Sequence, residues 1–459
     1  MVTTTAPAVV IAAPASGTGK TTIATGIMAA LARRMEVAPF KVGPDYIDPG
    51  YHTLAAGRIG RNLDSVMCGR DRIGPLYAHG AAGTDIAVVE GVMGLYDGRI
   101  GGDPLDAEGS TAEIARLLGA PVILVVDARH MSQSAAALVH GFATIDDRVR
   151  IAGAIINHVG SPRHADIATQ AVEAVGVPVL GAIPRVDDIE VPSRHLGLIT
   201  AAESGQRAHD VVQTMADLVE KHVNLDELVR LASLNWTGVP WDPEAEVGKT
   251  NCPGTKIAIA GGPAFTFAYA EHRELLEAAG AQVEVFDPLS DDLPHSDGLI
   301  IPGGFPEEHA AELAAREDLS RDLKQAVDGG LAVHGECAGL LWLLDSVDGH
   351  RMCGVIPAEA TMDRRLTLGY RSATALGDSV VAQPGHRVTG HEFHRTGLVG
   401  DTSQARESGW VPVWGWRDWL GAPVTEGFAS PDGRVHASYL HVHPAGSPGS
   451  VSRFVEACS

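Results

Sequence analysis

Six short, largely apolar runs rich in β-branched residues, each separated from the next by a stretch of helical character, constrain the first half of this chain most. They occupy residues 8–13, 37–42, 85–90, 121–127, 151–157 and 177–183. A strand that is apolar on both faces must be covered on both, and alternation with helices supplies that cover in a parallel sheet. Between the first two runs, residues 20–34 set Ile23, Ile27, Ala30 and Leu31 on one helical face. A second series of runs at 256–260, 282–286, 298–301 and 331–334 predicts a second α/β domain. The segment 236–255 carries three prolines and three glycines without any period, which reads as a linker. The expected domains are therefore 1–235 and 256–445, and 459 residues is length enough for both.

Lys and Arg number 35 against 57 Asp and Glu, a net charge of −22. Such a field repels polyanions, so the reading has no nucleic-acid partner and no anionic membrane surface. An anionic substrate would then need a metal ion or a local basic site. No apolar run reaches the length of a membrane span, and the first residues lack the basic leader of a signal peptide. Five cysteines without a C-x-x-C pair fit neither a disulfide framework nor a structural zinc site, which points to a reducing cytoplasm.

The first apolar run leads into Pro14-Ala15-Ser16-Gly17-Thr18-Gly19-Lys20-Thr21-Thr22 and then into the helical stretch. Glycines let backbone N–H groups turn toward a phosphate, and a helix N-terminus adds positive potential. Lys20 can reach the outer phosphates and Thr21 can bind Mg²⁺. This is a Walker A loop in its proper strand–loop–helix context, with Pro14 where the usual pattern has glycine. The acidic partners belong at the carboxyl ends of neighbouring strands. Asp45 and Asp48, in a tight turn after 37–42, and Glu90, ending 85–90 ahead of Asp97, meet that requirement. The competing reading is that the two aspartates only shape their turn and Glu90 only ends a strand.

In the second half, residues 331–334 run into Gly335-Glu336-Cys337-Ala338-Gly339 and a helical stretch. A strand, a sharp turn and a helix with Cys at the turn expose a nucleophile, and the helix N-terminus is expected to lower its pKa. Gly304, in the loop after 298–301, and the N–H of Ala338 are candidate oxyanion donors. The other four cysteines read as incidental. Of 20 histidines, His441 and His443 are the best candidates for the base; they share a face if a strand continues through them, so spacing does not choose between them.

The segments APASGTGKTT, KVGPDYIDPGYH, VVEGVMGLYDG, VPSRHLGL, HGECAGLLWL, LGYR, GHEFH and ASYLHVH together resemble the corrinoid a,c-diamide synthases. In that family an ATP-binding domain similar to dethiobiotin synthetase precedes a class I glutamine amidotransferase domain. The resemblance implies an α/β fold with an N-terminal P-loop NTPase-like parallel sheet and a C-terminal class I amidotransferase-like domain. It implies ATP- and glutamine-dependent amidation of ring carboxylates, with Mg²⁺ as cofactor and corrinoid, ATP and glutamine as partners; a homodimer is compatible with it. It implies Cys337 as nucleophile and His441 as base, and it leaves the third triad member open because His443 stands where glutamate is usual. Ser16 through Thr22 and Asn157 would bind ATP, with Asn157 reading adenine. Thr21, Asp45 and Glu90 would hold the metal, and Tyr46, Asp48 and Asp97 the corrinoid. Arg194 and the stretch 390–394 match family motifs to which the residues assign no role. Rival readings are another acid-amide ligase of the same branch, such as cobyric acid synthase or a nickel-tetrapyrrole a,c-diamide synthase, or a deviant-Walker nucleotide switch carrying a dead amidotransferase domain. Intact Cys337, Gly335, Gly339 and His441 disfavour the last.

Overall fold

The computed structural model describes residues 5–101, 106–186, 193–194, 197–198, 205–248, 252–400 and 402–459. The chain divides into two compact units, residues 1–241 and 242–459. Among the described residues, no helix is long and apolar enough to cross a membrane.

The first unit is built on a seven-stranded sheet in the order β3-β2-β4-β1-β5-β6-β7. Its strands are β1 (Ala8–Ala12), β2 (Val37–Val42), β3 (Arg61–Leu63), β4 (Ile86–Glu90), β5 (Val122–Asp127), β6 (Ile151–Val159) and β7 (Val179–Pro184). All neighbours run parallel. β1, β2 and β4 are buried at every position, as apolar runs covered on both faces require. Each fully buried Val or Ile contributes roughly 1.5–3 kcal/mol. Helix α1 (Lys20–Ala32) buries Ile23, Ile27, Ala30 and Leu31 and much of its opposite side too, because it lies between the sheet and the helix Gln206–His222. Gly26 permits that crossing: a Cβ there would stand 2.6 Å from the Met215 carbonyl oxygen. β3, with the sequence Arg-Asn-Leu, is too short and polar to register as an apolar run.

Residues 236–241, expected in a linker, pack on the first unit. Trp236 covers Gly74, Trp241 meets His79 edge to face at 5.1 Å, and the Trp241 N–H donates to the Pro75 carbonyl at 2.9 Å. Pro243–Val247 forms a short helix capped by Asp242, which packs on the helices Ala270–Ala278 and Pro448–Cys458 of the second unit.

In the second unit, β10 (Lys256–Ala260), β11 (Gln282–Phe286), β12 (Gly298–Ile301), β13 (Ala332–Glu336), β20 (Phe428–Ala429) and β21 (Val435–Ser438) make a sheet ordered β11-β10-β12-β13-β21-β20. Every pair is parallel except β20 with β21. A further sheet, unforeseen from the sequence, contains β16 (Ile356–Ala375), β17 (Arg387–Leu398) and β22 (His441–Val442) in antiparallel pairing. The long β16 carries mixed, half-exposed residues, and a register shift between Met362 and Thr367 breaks its pairing with β17. The helix Pro448–Cys458 buries Val451, Phe454 and Val455, so the unit extends past residue 445.

Candidate functional sites

At the carboxyl edge of the first sheet, the loop from β1 to α1 turns on Gly17 and Gly19, with φ of 77° and 88°. Both angles lie in the left-handed region that favours glycine. Thr18 Oγ1 donates to the Ala15 carbonyl at 3.2 Å, and Lys20 Nζ donates to the Met93 carbonyl at 3.3 Å. Ser16 and Gly17 are exposed, while Lys20 is buried. Burial lowers the Lys20 pKa, and neighbouring Lys41 adds to the effect. Thr22 stands in the first turn of α1.

Thr21 Oγ1 donates to Glu90 Oε1 at 2.6 Å and approaches Asp48 Oδ2 at 3.4 Å, so the hydroxyl and two acidic groups expected near the phosphates do converge. The structure adds a residue that the sequence reading missed. Lys41, the fifth residue of β2, is buried with its Nζ 2.5 Å from Asp48 Oδ2 and 2.9 Å from Glu90 Oε1. His52 Nε2 lies 2.7 Å from Glu90 Oε2. Burial works against the Lys41 ammonium, but Asp48, Glu90 and Asp45 outweigh it and raise its pKa. Burial also opposes the Glu90 carboxylate, yet Lys41 and His52 hold its pKa below the usual value. Burial and Asp45 push Asp48 up to about 6 against the pull of Lys41. The missed signal was a lysine inside an otherwise apolar strand, where an unpaired charge would be prohibitive.

The other expected site residues also make local contacts. Asp45 Oδ1 accepts from the Ile47 and Asp48 N–H groups at 2.8 and 3.0 Å, holding the entrance to α2 (Asp48–Ala56). Its other oxygen, Oδ2, stands 4.0 Å from Lys41 Nζ. Tyr46 is buried in the same turn. Asp97 Oδ2 accepts from the Gly94 N–H at 2.9 Å and closes its own loop. Asn157, expected to face adenine, is 5% exposed and donates to the Thr18 carbonyl at 2.9 Å. A Cβ on Gly19 would stand 2.3 Å from the Asn157 amide nitrogen, so the side chain packs on the phosphate loop. Beside it, His158 takes φ 60° and sets its Nδ1 3.1 Å from Asp127 Oδ1. Most of the 191–198 motif lies outside the described residues; the backbones of Ser193–Arg194 and Gly197–Leu198 pair as two short strands.

In the second unit β13 ends at Glu336, and Cys337 follows at φ 49°, ψ −95°. A non-glycine residue there stores roughly 1–3 kcal/mol of strain, the mark of a nucleophile elbow. Gly339 allows the following helix to approach β12: a Cβ there would sit 2.1 Å from the Ile301 carbonyl oxygen. The Cys337 N–H donates to the Ser438 carbonyl at 2.7 Å, anchoring the elbow to β21. The thiol is not activated as expected. Burial drives its pKa well above the ordinary value, Glu307 adds to that, the Ala338 N–H pulls it back, and Glu336 and Glu426 push it up again. Desolvation exceeds the helix-terminus effect at a side chain that is 3% exposed. The Ala338 N–H is nevertheless directed to the thiol side, as an oxyanion donor must be. At Gly304 a Cβ would meet the Ala264 carbonyl oxygen at 2.1 Å, so only glycine lets this loop lie so close.

The two candidate histidines part company. β22 ends at Val442, and His443 instead caps a turn through Nδ1, accepting from the Ala445 N–H at 3.2 Å. Its ring packs on Tyr269 with centroids 4.0 Å apart. His441 is buried against Gly303, where a Cβ would lie 2.4 Å from its Cε1, and its Nδ1 is 3.8 Å from Glu336 Oε2. The stretch 390–394 acquires a place here: it lies in β17, pairing Tyr370 with His391 on one side and His391 with His441 on the other. Cys337 Sγ is 4.0 Å from the Phe393 carbonyl oxygen in the same stretch.

A phosphate loop in one α/β unit and a cysteine elbow in the other define the class: a nucleotide-binding unit joined to a glutamine amidotransferase unit. Residues 9–199 match the CobQ/CobB/MinD/ParA nucleotide binding domain, and residues 256–448 match the CobB/CobQ-like glutamine amidotransferase domain. The chain is 54% identical over 453 residues to hydrogenobyrinate a,c-diamide synthase of Mycobacterium tuberculosis, covering 98% of this chain and 97% of that protein. It is 50% identical over 488 residues to the enzyme of that name from Streptomyces coelicolor, with 98% and 97% covered. It is 38% identical to cobyrinate a,c-diamide synthase of Picrophilus torridus, with 98% of each covered. The chain belongs to the corrinoid a,c-diamide synthase family.

Proposed function

We propose that this protein converts the a- and c-side-chain carboxylates of a corrinoid ring into carboxamides, using ATP and taking nitrogen from glutamine. The observation that carries the reading is identity of 54% across 98% of the chain with hydrogenobyrinate a,c-diamide synthase. Relatives of that name match at 47–54%, against 38–41% for the cobyrinate enzymes, which favours the cobalt-free ring.

A carboxylate resists ammonia because its carbonyl carbon is electron-rich and oxide is a poor leaving group. Transfer of the γ-phosphoryl group of ATP to the carboxylate oxygen gives an acyl phosphate and ADP, and ammonia then displaces phosphate. Residues Ser16 to Thr22 cradle the nucleotide phosphates, with Lys20 on the outer ones. Thr21, Glu90 and Asp48 offer hydroxyl and carboxylate oxygens, the hard donors Mg²⁺ takes beside phosphates, and would hold that ion. Bound there, Mg²⁺ supplies positive charge against the phosphate oxygens. Lys20 places a cation at the phosphate loop of a −22 chain that must receive an anionic ring.

At the other site the Cys337 sulfur attacks the side-chain amide carbon of glutamine, and His441 carries the thiol proton to the departing nitrogen. Ammonia leaves, and water cleaves the thioester to glutamate. The Ala338 N–H and the Gly304 loop stabilise the tetrahedral oxyanion. The synthetase role falls to the first unit and the glutaminase role to the second. We place the enzyme in the cytoplasm, as its cysteine usage without a C-x-x-C pair leads us to expect. A homodimer remains compatible with this scheme.

The test is Cys337→Ala with each ring, Mg²⁺ and ATP, followed by mass analysis for one or two amidations. Synthesis from glutamine disappears while synthesis from high ammonia persists. Loss of both in folded protein refutes two separate sites.

A further inference from the structure

We propose that Glu336, the residue immediately before the nucleophile, is the carboxylate that orients His441. The proposal rests on the amidotransferase reading above and identifies the third member of its site.

A base histidine needs a partner on the ring nitrogen away from the thiol, to fix its tautomer and direction. The residue two places after His441 is His443, which the fold removes to cap a turn beside Tyr269 and Glu271. Glu336 arrives instead from β13. Its Oε2 is 3.8 Å from His441 Nδ1, and its Oε1 accepts from the Val442 N–H at 3.4 Å, which ties the carboxylate to the strand that carries His441.

The surroundings suit an anion with one task. Glu336 lines a small cavity with His272, His334 and His436. Burial lowers the pKa of all three histidines, that of His272 to about 4. Burial opposes the Glu336 charge, but His441, His334 and His272 hold its pKa below the usual value. The other nearby carboxylates are engaged. Glu426 accepts from Ser438 Oγ at 2.6 Å and the Tyr439 N–H at 2.7 Å, and Glu392 accepts from Arg371 Nε at 2.6 Å. Because Glu336 and Cys337 are adjacent, one strand end sets the nucleophile and the base's partner together.

Glu336→Gln keeps shape and removes charge; Glu336→Asp keeps charge and shortens reach. Glutamine hydrolysis is measured with each full-length variant beside wild type and Cys337→Ala, with melting temperature reporting the fold. A misplaced tautomer slows chemistry and leaves binding intact. Expected for Glu336→Gln is a fall in kcat of roughly 10²-fold with KM within about twofold, while Glu336→Asp recovers at least about a tenth of wild-type kcat. A Gln variant with kcat within about twofold of wild type overturns the proposal. So does an Asp variant that melts like wild type yet has lost as much kcat as Gln, and this variant decides the matter alone if Gln does not fold. Wild-type protein that hydrolyses no glutamine, or Cys337→Ala that still does, overturns the amidotransferase reading itself.

Discussion

Lys41→Met tests the buried charge cluster of the nucleotide unit. The Lys41 side chain is 4% exposed and stands 2.5 Å from Asp48 and 2.9 Å from Glu90, whose own side chains are 11% and 0% exposed. Methionine matches the volume but leaves two carboxylates without their cation. Removing one partner from a buried pair costs about 3–5 kcal/mol. In a unit of 241 residues each kcal/mol moves the melting temperature by about 2–4 °C, so the first unit should melt about 6–20 °C lower. Differential scanning calorimetry at pH 7.5 reads this directly. The deficit also has a sign in pH. Asp48 already has its pKa raised to about 6 with Lys41 present, and loss of the lysine raises it further. A carboxyl group whose folded pKa exceeds its unfolded value loses stability as pH rises through that window. The gap from wild type should therefore narrow between pH 7.5 and pH 5. Adding Glu90→Gln should return about 1–3 kcal/mol, since the two sites are in contact. A Lys41→Met protein melting within about 1 °C of wild type at pH 7.5 refutes the cluster.

Lys20→Ala and Thr21→Ala should abolish amidation with either nitrogen source and leave glutamine hydrolysis measurable; synthesis at near wild-type rate from ammonia would remove the phosphate loop from the reaction. In the ligand-free protein, alkylation of Cys337 by iodoacetamide should be slow at pH 7 and climb past pH 9, because burial and Glu307 hold the thiol above its ordinary 9.0. Peptide mass mapping separates it from the other cysteines, and a rate that levels off by pH 7 contradicts the raised thiol.

Every strand of the first sheet but β3, strands β10 to β13 of the second, the phosphate loop and the cysteine elbow were legible in the sequence because each rests on local causes. Apolar residues on both faces demand a covered strand, as the burial of β1, β2 and β4 shows. The turns at Gly17, Gly19 and Cys337 rest on local backbone conformation. The antiparallel sheet escaped because β16 exposes many of its residues and β17, though largely covered, is rich in polar residues, so neither carries a continuous apolar signal.

Tertiary structure alone decided which polar groups meet. Lys41 reaches Glu90 across a separation of 49 residues, and Asn157 reaches the Thr18 carbonyl across 139. Glu336 reaches the strand of His441 across 106 residues. Residue type at each position advertises a charge or an amide but not its partner. The choice between His441 and His443 shows the same limit: two residues apart, they shared a face until β22 ended at Val442 and sent His443 to cap a turn. The thiol also took its character from the fold. A helix N-terminus is visible in sequence, but desolvation at Cys337 depends on what the rest of the unit packs around it, and there desolvation is the larger effect.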